Sequence, residues 1–479
     1  MNDRMLGYLF GVLLLIEGAF LLLPLAVALL FGESPVPYLL TLAALLCVGL
    51  PAVLQKPKNT RIYAREGFVC VAAAWILLSA FGALPFVFSG AIPQYIDAFF
   101  ETVSGFTTTG STILRTVENL PRGILFWRSF THWIGGMGVL VFMLAILPTG
   151  DGGAIHILRA EMPGPQKSKL VPRLQNTALI LYAIYVGLTI LQILVLCATG
   201  MPFYDSCVNA LATAGTGGFA VKNASIAGYA NPAAEWVIAV FMLLFGVNFN
   251  IYFFLLMRRV RDVFHNEELR IYLILCGLST AIITANTLSL FENFGDALRS
   301  AFFQVTSIIS TTGFATVDYN TFPALTKAVL LCLTLTGACA GSTAGGLKLS
   351  RVLLLCKSMK REVRHALRPR SVNVVRLDGE AVPEETVRGA GNYFLLYAAI
   401  TVASCFLLSF DNFDAESTVT AVLTCINNVG PGLGMVGPAG NFADFSVFSK
   451  LVLSFDMLLG RLEIIPIVIL FSPLAWKRK

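Results

Sequence analysis

The sequence predicts an all-α polytopic membrane protein, and three observations carry the prediction. Of 479 residues, 56% are apolar and only 13% charged, with a mean hydropathy of +0.75, where soluble domains carry about 25% charge. Apolar stretches recur that are long enough to cross a bilayer, which takes about 20 helical residues. Between them lie polar, glycine-containing connections that repeat one pattern four times. Disordered and fibrous classes are excluded, because 41 Gly and 21 Pro amount to only about 13% of the chain.

In chain order the predicted spans are about 6–31, 36–55, 67–90, 124–148, 177–200, 233–257, 270–291, 324–356, 390–410 and 446–473. The first is too long for the apolar core of a cleaved signal and has no clean small-residue cleavage site, so it reads as a retained span. Ten crossings put both termini on one face. Twenty-six of the 34 Lys and Arg fall at Arg4, within 56–65, 151–177, 258–270 and 348–388, and at the C-terminus. That bias makes the face cytoplasmic. The ten cysteines form no C-x-x-C pair and mostly sit in apolar runs, as buried free thiols do.

The outer connections 91–123, 201–232, 292–323 and 411–445 are too long for turns and too polar to cross. Each holds one apolar run of about ten residues, ~15 Å as a helix and half a hydrocarbon core. Re-entrant segments fit that length. Irregular backbone at membrane depth survives only where protein or a water-filled cavity surrounds it.

Aligned on one glycine, the four segments read ETVSGFTTTG (101–110), NALATAGTGG (209–218), QVTSIISTTG (304–313) and AVLTCINNVG (421–430). Thirteen residues before each glycine stand Asp97, Asp205, Ser300 and Ser417, all N-cap types. Asp296 and Asp414, about one turn earlier, are alternative caps for the last two. The expected architecture is four span–re-entrant helix–span repeats in pseudo-four-fold arrangement around a central pore, after two extra N-terminal spans. The corresponding units are 1–60 (accessory spans), 61–152, 153–262, 263–358 with an interrupted second span, and 359–479 with a basic cytoplasmic linker.

The unit points to cations. A half-helix entering from outside aims the negative end of its dipole at the membrane centre. The strand after it can turn backbone carbonyls toward an axis, which favours glycine where φ is positive. Rings of carbonyls replacing a hydration shell are how potassium filters work. No Lys or Arg stands in the four strands, which argues against an anion filter.

Five segments specify more: ETVSGFTTTGST (101–112), HWIGGMGV (132–139), STTGFA (310–315), GACAGSTAGGLK (337–348) and NNVGPGLG (427–434). On them the chain resembles the Trk/Ktr and HKT/Trk superfamily of bacterial, plant and fungal potassium transporters, over nearly its whole length. The two extra spans resemble the TrkH branch. The resemblance implies that Thr108-Thr109-Gly110, Thr216-Gly217-Gly218, Thr311-Thr312-Gly313 and Asn428-Val429-Gly430 line the ion sites as degenerate filter strands. One glycine common to all four, where the channel pattern has two, implies looser K⁺/Na⁺ discrimination. Gly110 stands where a serine accompanies Na⁺ preference in the plant branch, which favours K⁺. The resemblance further implies potassium uptake across a bacterial cytoplasmic membrane, with K⁺ as transported ion and no cofactor. It also implies a homodimer docked on cytosolic, nucleotide-binding TrkA-type subunits.

Two features bear on a gate. The predicted span 324–356 contains Thr336–Gly346, eleven residues with Gly337, Gly341, Gly345 and Gly346. Each interior glycine costs ~1 kcal/mol of helix stability, so a break is expected, although small residues also permit close helix packing. The resemblance implies an intramembrane loop that obstructs the pore. Arg461 lies in the last span, where charges are costly. Glu463 is a poor partner, because i,i+2 residues do not share a helix face. An acid on another helix is one reading; the resemblance implies an electrostatic barrier in the permeation path.

Other patterns carry less. GLGMVG (432–437) fits G-x-G-x-x-G without the βαβ context, and 341–348 misses a phosphate loop by one place. The four histidines have no metal spacing, and His132 reads as a packing or interfacial residue. An intramembrane enzyme lacks its nucleophile or acid pair. An H⁺- or Na⁺-coupled K⁺ symporter, with broken helices holding the ion at the midplane, is the alternative to a channel-like conduit. The basic 357–388 segment also suits lipid headgroups; nothing suggests a nucleic-acid partner.

Overall fold

The structure, a computed structural model, describes residues 2–55, 57, 64–138, 174–371 and 373–473. The second half of the expected 124–148 span, most of the basic 56–65 and 151–177 loops, the unit boundaries 60/61 and 152/153, and the last six residues lie outside them. The chain is a helical, multi-span membrane protein. Among the described residues the one departure from all-α is a hairpin, Arg376–Leu377 (β1) with Glu380–Ala381 (β2).

Two long helices come first, α1 (Asp3–Leu30) and α2 (Val36–Leu54). They pack through glycines, since a Cβ on Gly11 would lie 2.8 Å from the Gly49 carbonyl oxygen and 2.7 Å from the Ala52 Cβ. Close backbone approach through small residues is how helices associate in lipid. Next come α3 (Ala64–Gly82), α4 (Leu84–Phe88), the half-helix α5 (Tyr95–Phe106) and α6 (Arg122–Gly136). The second set is α7 (Leu174–Ala198), the half-helix α8 (Phe203–Gly215), α9 (Pro232–Phe245), α10 (Phe249–Leu256) and α11 (Val260–His265). The third is α12 (Glu267–Thr287), the half-helix α13 (Phe294–Ile309), α14 (Ala324–Thr336) and α15 (Leu349–Leu367). The fourth is α16 (Glu384–Leu408), the half-helix α17 (Ala415–Ile426), α18 (Val447–Arg461) and α19 (Ile465–Phe471). The expected boundaries 262/263 and 358/359 fall within α11 and α15.

By length and composition six described helices can cross a membrane, or seven if the bent pair α9–α10 counts as one. Ten spans were expected, and the difference lies largely in interruptions. The expected span 233–257 turns by 89° between Phe245 and Phe249. There a Cβ on Gly246 would sit 2.3 Å from the Tyr272 hydroxyl, and the Asn248 side chain accepts the Asn250 N–H to start α10. The expected span 446–473 also breaks: Glu463 and Ile464 have φ of 60° and 65°. Pro466, which has no N–H to continue α18, opens α19. The break at 337–348 is where the glycines place it.

The half-helices begin earlier than their expected caps. Asp97, Asp205 and Asp296 stand in first turns, and Ser300 lies inside α13. Pro202 and Gln94, with extended backbones and no capping side chain, start the first two. Carboxylates in a first turn still oppose the positive end of the dipole. Only the alternative Asp414 caps as expected, accepting the Ser417 N–H at 2.9 Å.

Candidate functional site: the four glycine strands and the loop beneath them

The four half-helices end alike. Thr108, Thr216, Thr311 and Asn428 take left-handed φ of 58°, 57°, 58° and 55°. Their N–H groups donate to the carbonyls three residues back: Gly105, Thr213, Ile308 and Cys425. The next N–H in each, from Thr109, Gly217, Thr312 and Val429, reaches back five, to Ser104, Ala212, Ser307 and Thr424, at 2.9 Å in every case. This is a Schellman end with threonine or asparagine where glycine is usual. A non-glycine left-handed residue costs about 1 kcal/mol, and the cost recurs in all four copies. Two residues on, Gly110, Gly218, Gly313 and Gly430 are left-handed again, at 82°, 75°, 81° and 93°.

The strands meet. A Cβ on Gly110 would lie 2.0 Å from the Gly217 carbonyl oxygen, and one on Gly218 2.0 Å from that of Thr312. One on Gly313 would lie 2.2 Å from that of Val429, and one on Gly430 2.6 Å from that of Thr109. The contacts run in chain order and close on themselves. Each links the glycine of one repeat to the carbonyl of the residue just before the glycine in its neighbour, so eight of the twelve expected site residues meet directly, and Thr108, Thr216, Thr311 and Asn428 precede them in the chain. A cavity of about 140 Å³ borders all four glycines. The Thr108 hydroxyl is buried with no hydrogen-bond partner among the described residues.

Four side chains hold this ring, two of which, Glu101 and Arg128, were given no role by the sequence. Glu101 on α5 and Arg128 on α6 form a buried ion pair at 2.6 Å. Glu101 also accepts from the Thr112 hydroxyl and the Ile113 N–H, while Arg128 donates to the Ala220 carbonyl and stacks on Phe219 at 3.5 Å. The chain just past Gly110 is thereby fastened to the chain just past Gly218. His132 is fully buried against the back of Gly217, with Nδ1 2.7 Å from the Gly105 carbonyl oxygen. Packing is its role, though not at an interface. Asn428 donates to the Thr109 hydroxyl and the Met457 carbonyl, both at 2.9 Å.

The segment 337–348 reaches the strands from the other side. The Gly345 N–H donates to the Thr311 hydroxyl at 2.7 Å, and a Cβ on Gly345 would lie 2.4 Å from the Asn427 carbonyl oxygen. Gly337 and Gly346 pack against each other, with a built Cβ on Gly346 2.9 Å from the Gly337 Cα. Gly341 stands apart, against Asn248 at the α9–α10 bend. Arg461 donates to the Thr343 carbonyl at 2.8 Å, to that of Gly136 at 2.7 Å and to that of Gly135. A cation there meets the negative end of α6. Glu463 pairs with Arg351 on α15. Among the described residues no group of three or more His, Cys, Asp or Glu could hold a metal ion, and all ten cysteines are free.

Comparison with known proteins identifies the family. Residues 38–477 match the family described as TrkH, cation transport protein. The chain is 36% identical to the Trk system potassium uptake protein TrkH of Salmonella typhimurium over 488 residues, covering all of both chains. It is 33% identical to the Trk system potassium uptake protein TrkG of Escherichia coli, covering 99% of each. The crystal structure of the potassium transporter TrkH from Vibrio parahaemolyticus superposes with a TM-score of 0.89 at 33% identity, covering all of both chains. The chain therefore belongs to the TrkH family of cation transport proteins, and not to a family of enzymes.

Proposed function

We propose that this chain takes up potassium across a bacterial cytoplasmic membrane through one central, gated, channel-like pore. The four strands form its filter, with the backbone oxygens of Thr109, Gly217, Thr312 and Val429 standing in for water around the ion. The observation that carries this reading is the closed ring of glycine–carbonyl contacts, built from matched left-handed residues. Left-handed residues alternating with ordinary ones turn successive carbonyls to one side of a strand, as a dehydrating filter needs. The curated relatives are named as potassium uptake proteins.

The units 61–152, 153–262, 263–358 and 359–479 each contribute one strand around a pseudo-four-fold axis, and 1–60 is accessory. Residues 337–348 form the barrier beneath the filter, and Arg461 places a positive charge in the ion's way. The loop meets a strand through the Gly345 N–H on Thr311, and Arg461 meets the loop at the Thr343 carbonyl. The Lys/Arg bias puts both termini in the cytoplasm. Membership of a Trk system fits a homodimer working with cytosolic nucleotide-binding subunits of the TrkA type.

Purified protein in liposomes tests the reading. Rubidium entry down its gradient, competed by K⁺ more effectively than by Na⁺ and independent of a proton or sodium gradient, is the expected result. Entry that requires an imposed H⁺ or Na⁺ gradient would instead make the protein a coupled symporter.

A further inference from the structure

A single buried carboxylate joins the two ends of the 337–348 loop. Glu268, the second residue of α12, is 6% exposed. Its Oε1 accepts the Ala340 N–H at 2.8 Å and the Ser350 N–H at 3.0 Å. These donors lie near the start of the loop and in the first turn of α15. Both are backbone groups that no helical carbonyl satisfies, so losing Glu268 leaves two buried donors empty.

The same stretch of chain is fastened to the basic segment on the other side. Glu267 pairs with Lys357 of α15 at 2.6 Å, and its N–H donates to Asp378 in the hairpin turn at 2.7 Å. Lys357 also donates to the Arg376 carbonyl at 2.8 Å. Two adjacent residues thus join α15 and the hairpin to both ends of the loop. Next to the joint lies a cavity of about 340 Å³, lined by Glu268, Ala340, Gly341, Ser350 and Asp378. The loop end has space to move into.

We propose that Glu268 is a positioning residue: a latch that keeps the loop beneath the filter and transmits displacement of α15 and the β1–β2 hairpin to it. The proposal rests on the reading of 337–348 as a barrier. The Cys339 N–H on the Gly246 carbonyl at 3.1 Å and the Leu349 N–H on the Ala338 carbonyl at 3.0 Å still tether the loop, so release of the Glu268 bonds loosens the barrier without detaching it and without change at the filter.

Rubidium flux through the full-length protein in liposomes, normalised to folded protein, tests this. E268A and E268D, the second too short to reach both donors, are each expected to raise basal flux at least threefold with an unchanged Rb⁺/Na⁺ preference. E268Q keeps an oxygen that can accept both bonds and should stay within twofold of the parent. Flux unchanged or lowered in both E268A and E268D, or raised as much in E268Q, overturns the latch. Gly346→Ala, whose Cβ would press on Gly337 within the loop and not on a strand, separates this failure from that of the barrier reading. If it alters flux while E268A and E268D do not, only the latch falls; if none does, the barrier reading falls with it.

Discussion

Substituting alanine for Gly218 is the sharpest perturbation of the ring. The new Cβ would lie 2.0 Å from the Thr312 carbonyl oxygen and 3.2 Å from the Gly313 carbonyl carbon, with φ at +75°. Ordinary contact begins at 3.4 Å, so one strand must retreat by roughly 1.4 Å. The left-handed backbone adds about 1 kcal/mol for alanine, and overpacking of a closed interior adds about 1–3 kcal/mol. A combined loss of about 2–4 kcal/mol at the ion sites, at 1.4 kcal/mol per factor of ten, lowers rubidium uptake at limiting ion about 30- to 700-fold. The assay is concentration-dependent uptake into liposomes. Gly187→Ala in α7 is the control, because a Cβ there meets nothing within 4 Å. Equal uptake and equal ion preference in the two variants would refute the placement of Gly218 against a working carbonyl ring.

Three further outcomes follow from other parts of the structure. Arg461→Gln removes the charge held on the Thr343, Gly135 and Gly136 carbonyls; rubidium flux should rise, and an unchanged or lower flux removes the barrier role. Arg128→Met strands the buried Glu101 carboxylate at a cost of about 3–5 kcal/mol; the thermal unfolding midpoint in detergent should drop sharply and recover in part in the R128M/E101Q double variant. Asp414→Ala removes the cap of α17. Hydrogen bonds from the Ser417 hydroxyl and N–H hold the Asp414 carboxyl below its usual range, so the cap stabilises above the unfolded-state pKa and is lost as pH falls through the lower folded value. The midpoint of D414A should therefore lie below the parent's at neutral pH and approach it as pH falls below about 4.

Much of this was legible in the chain because glycine is an unambiguous mark. Gly110, Gly218, Gly313 and Gly430 stand where backbone and neighbour both forbid a Cβ, so alignment on them recovers the ring members. The left-handed residue two places earlier was not legible. Thr108, Thr216 and Thr311 disfavour that conformation locally, and only the helix-end hydrogen bonds and the surrounding ring impose it. The broken spans divide the same way. Four glycines announce the interruption at 337–348, whereas at 246–248 there is one glycine, Gly246, whose missing side chain leaves room for the Tyr272 hydroxyl of another helix. The interruption after Arg461 had a local sign in Pro466, hidden by the apolar residues around it. Glu101 and Arg128 are 27 positions apart; their pairing depends on how α5 folds back against α6, which composition does not encode. Half-helix starts were displaced because Asp97 and Asp205 satisfy the dipole from inside the first turn as well as a cap would.

The central claim concerns where the ion sheds its water, and rubidium can be seen directly. Crystals of the protein grown in RbCl and measured at the rubidium absorption edge should give anomalous density on the axis enclosed by Thr109, Gly217, Thr312 and Val429, weakened on exchange into KCl. Well-ordered crystals with rubidium bound elsewhere and none between these four carbonyls would contradict the account.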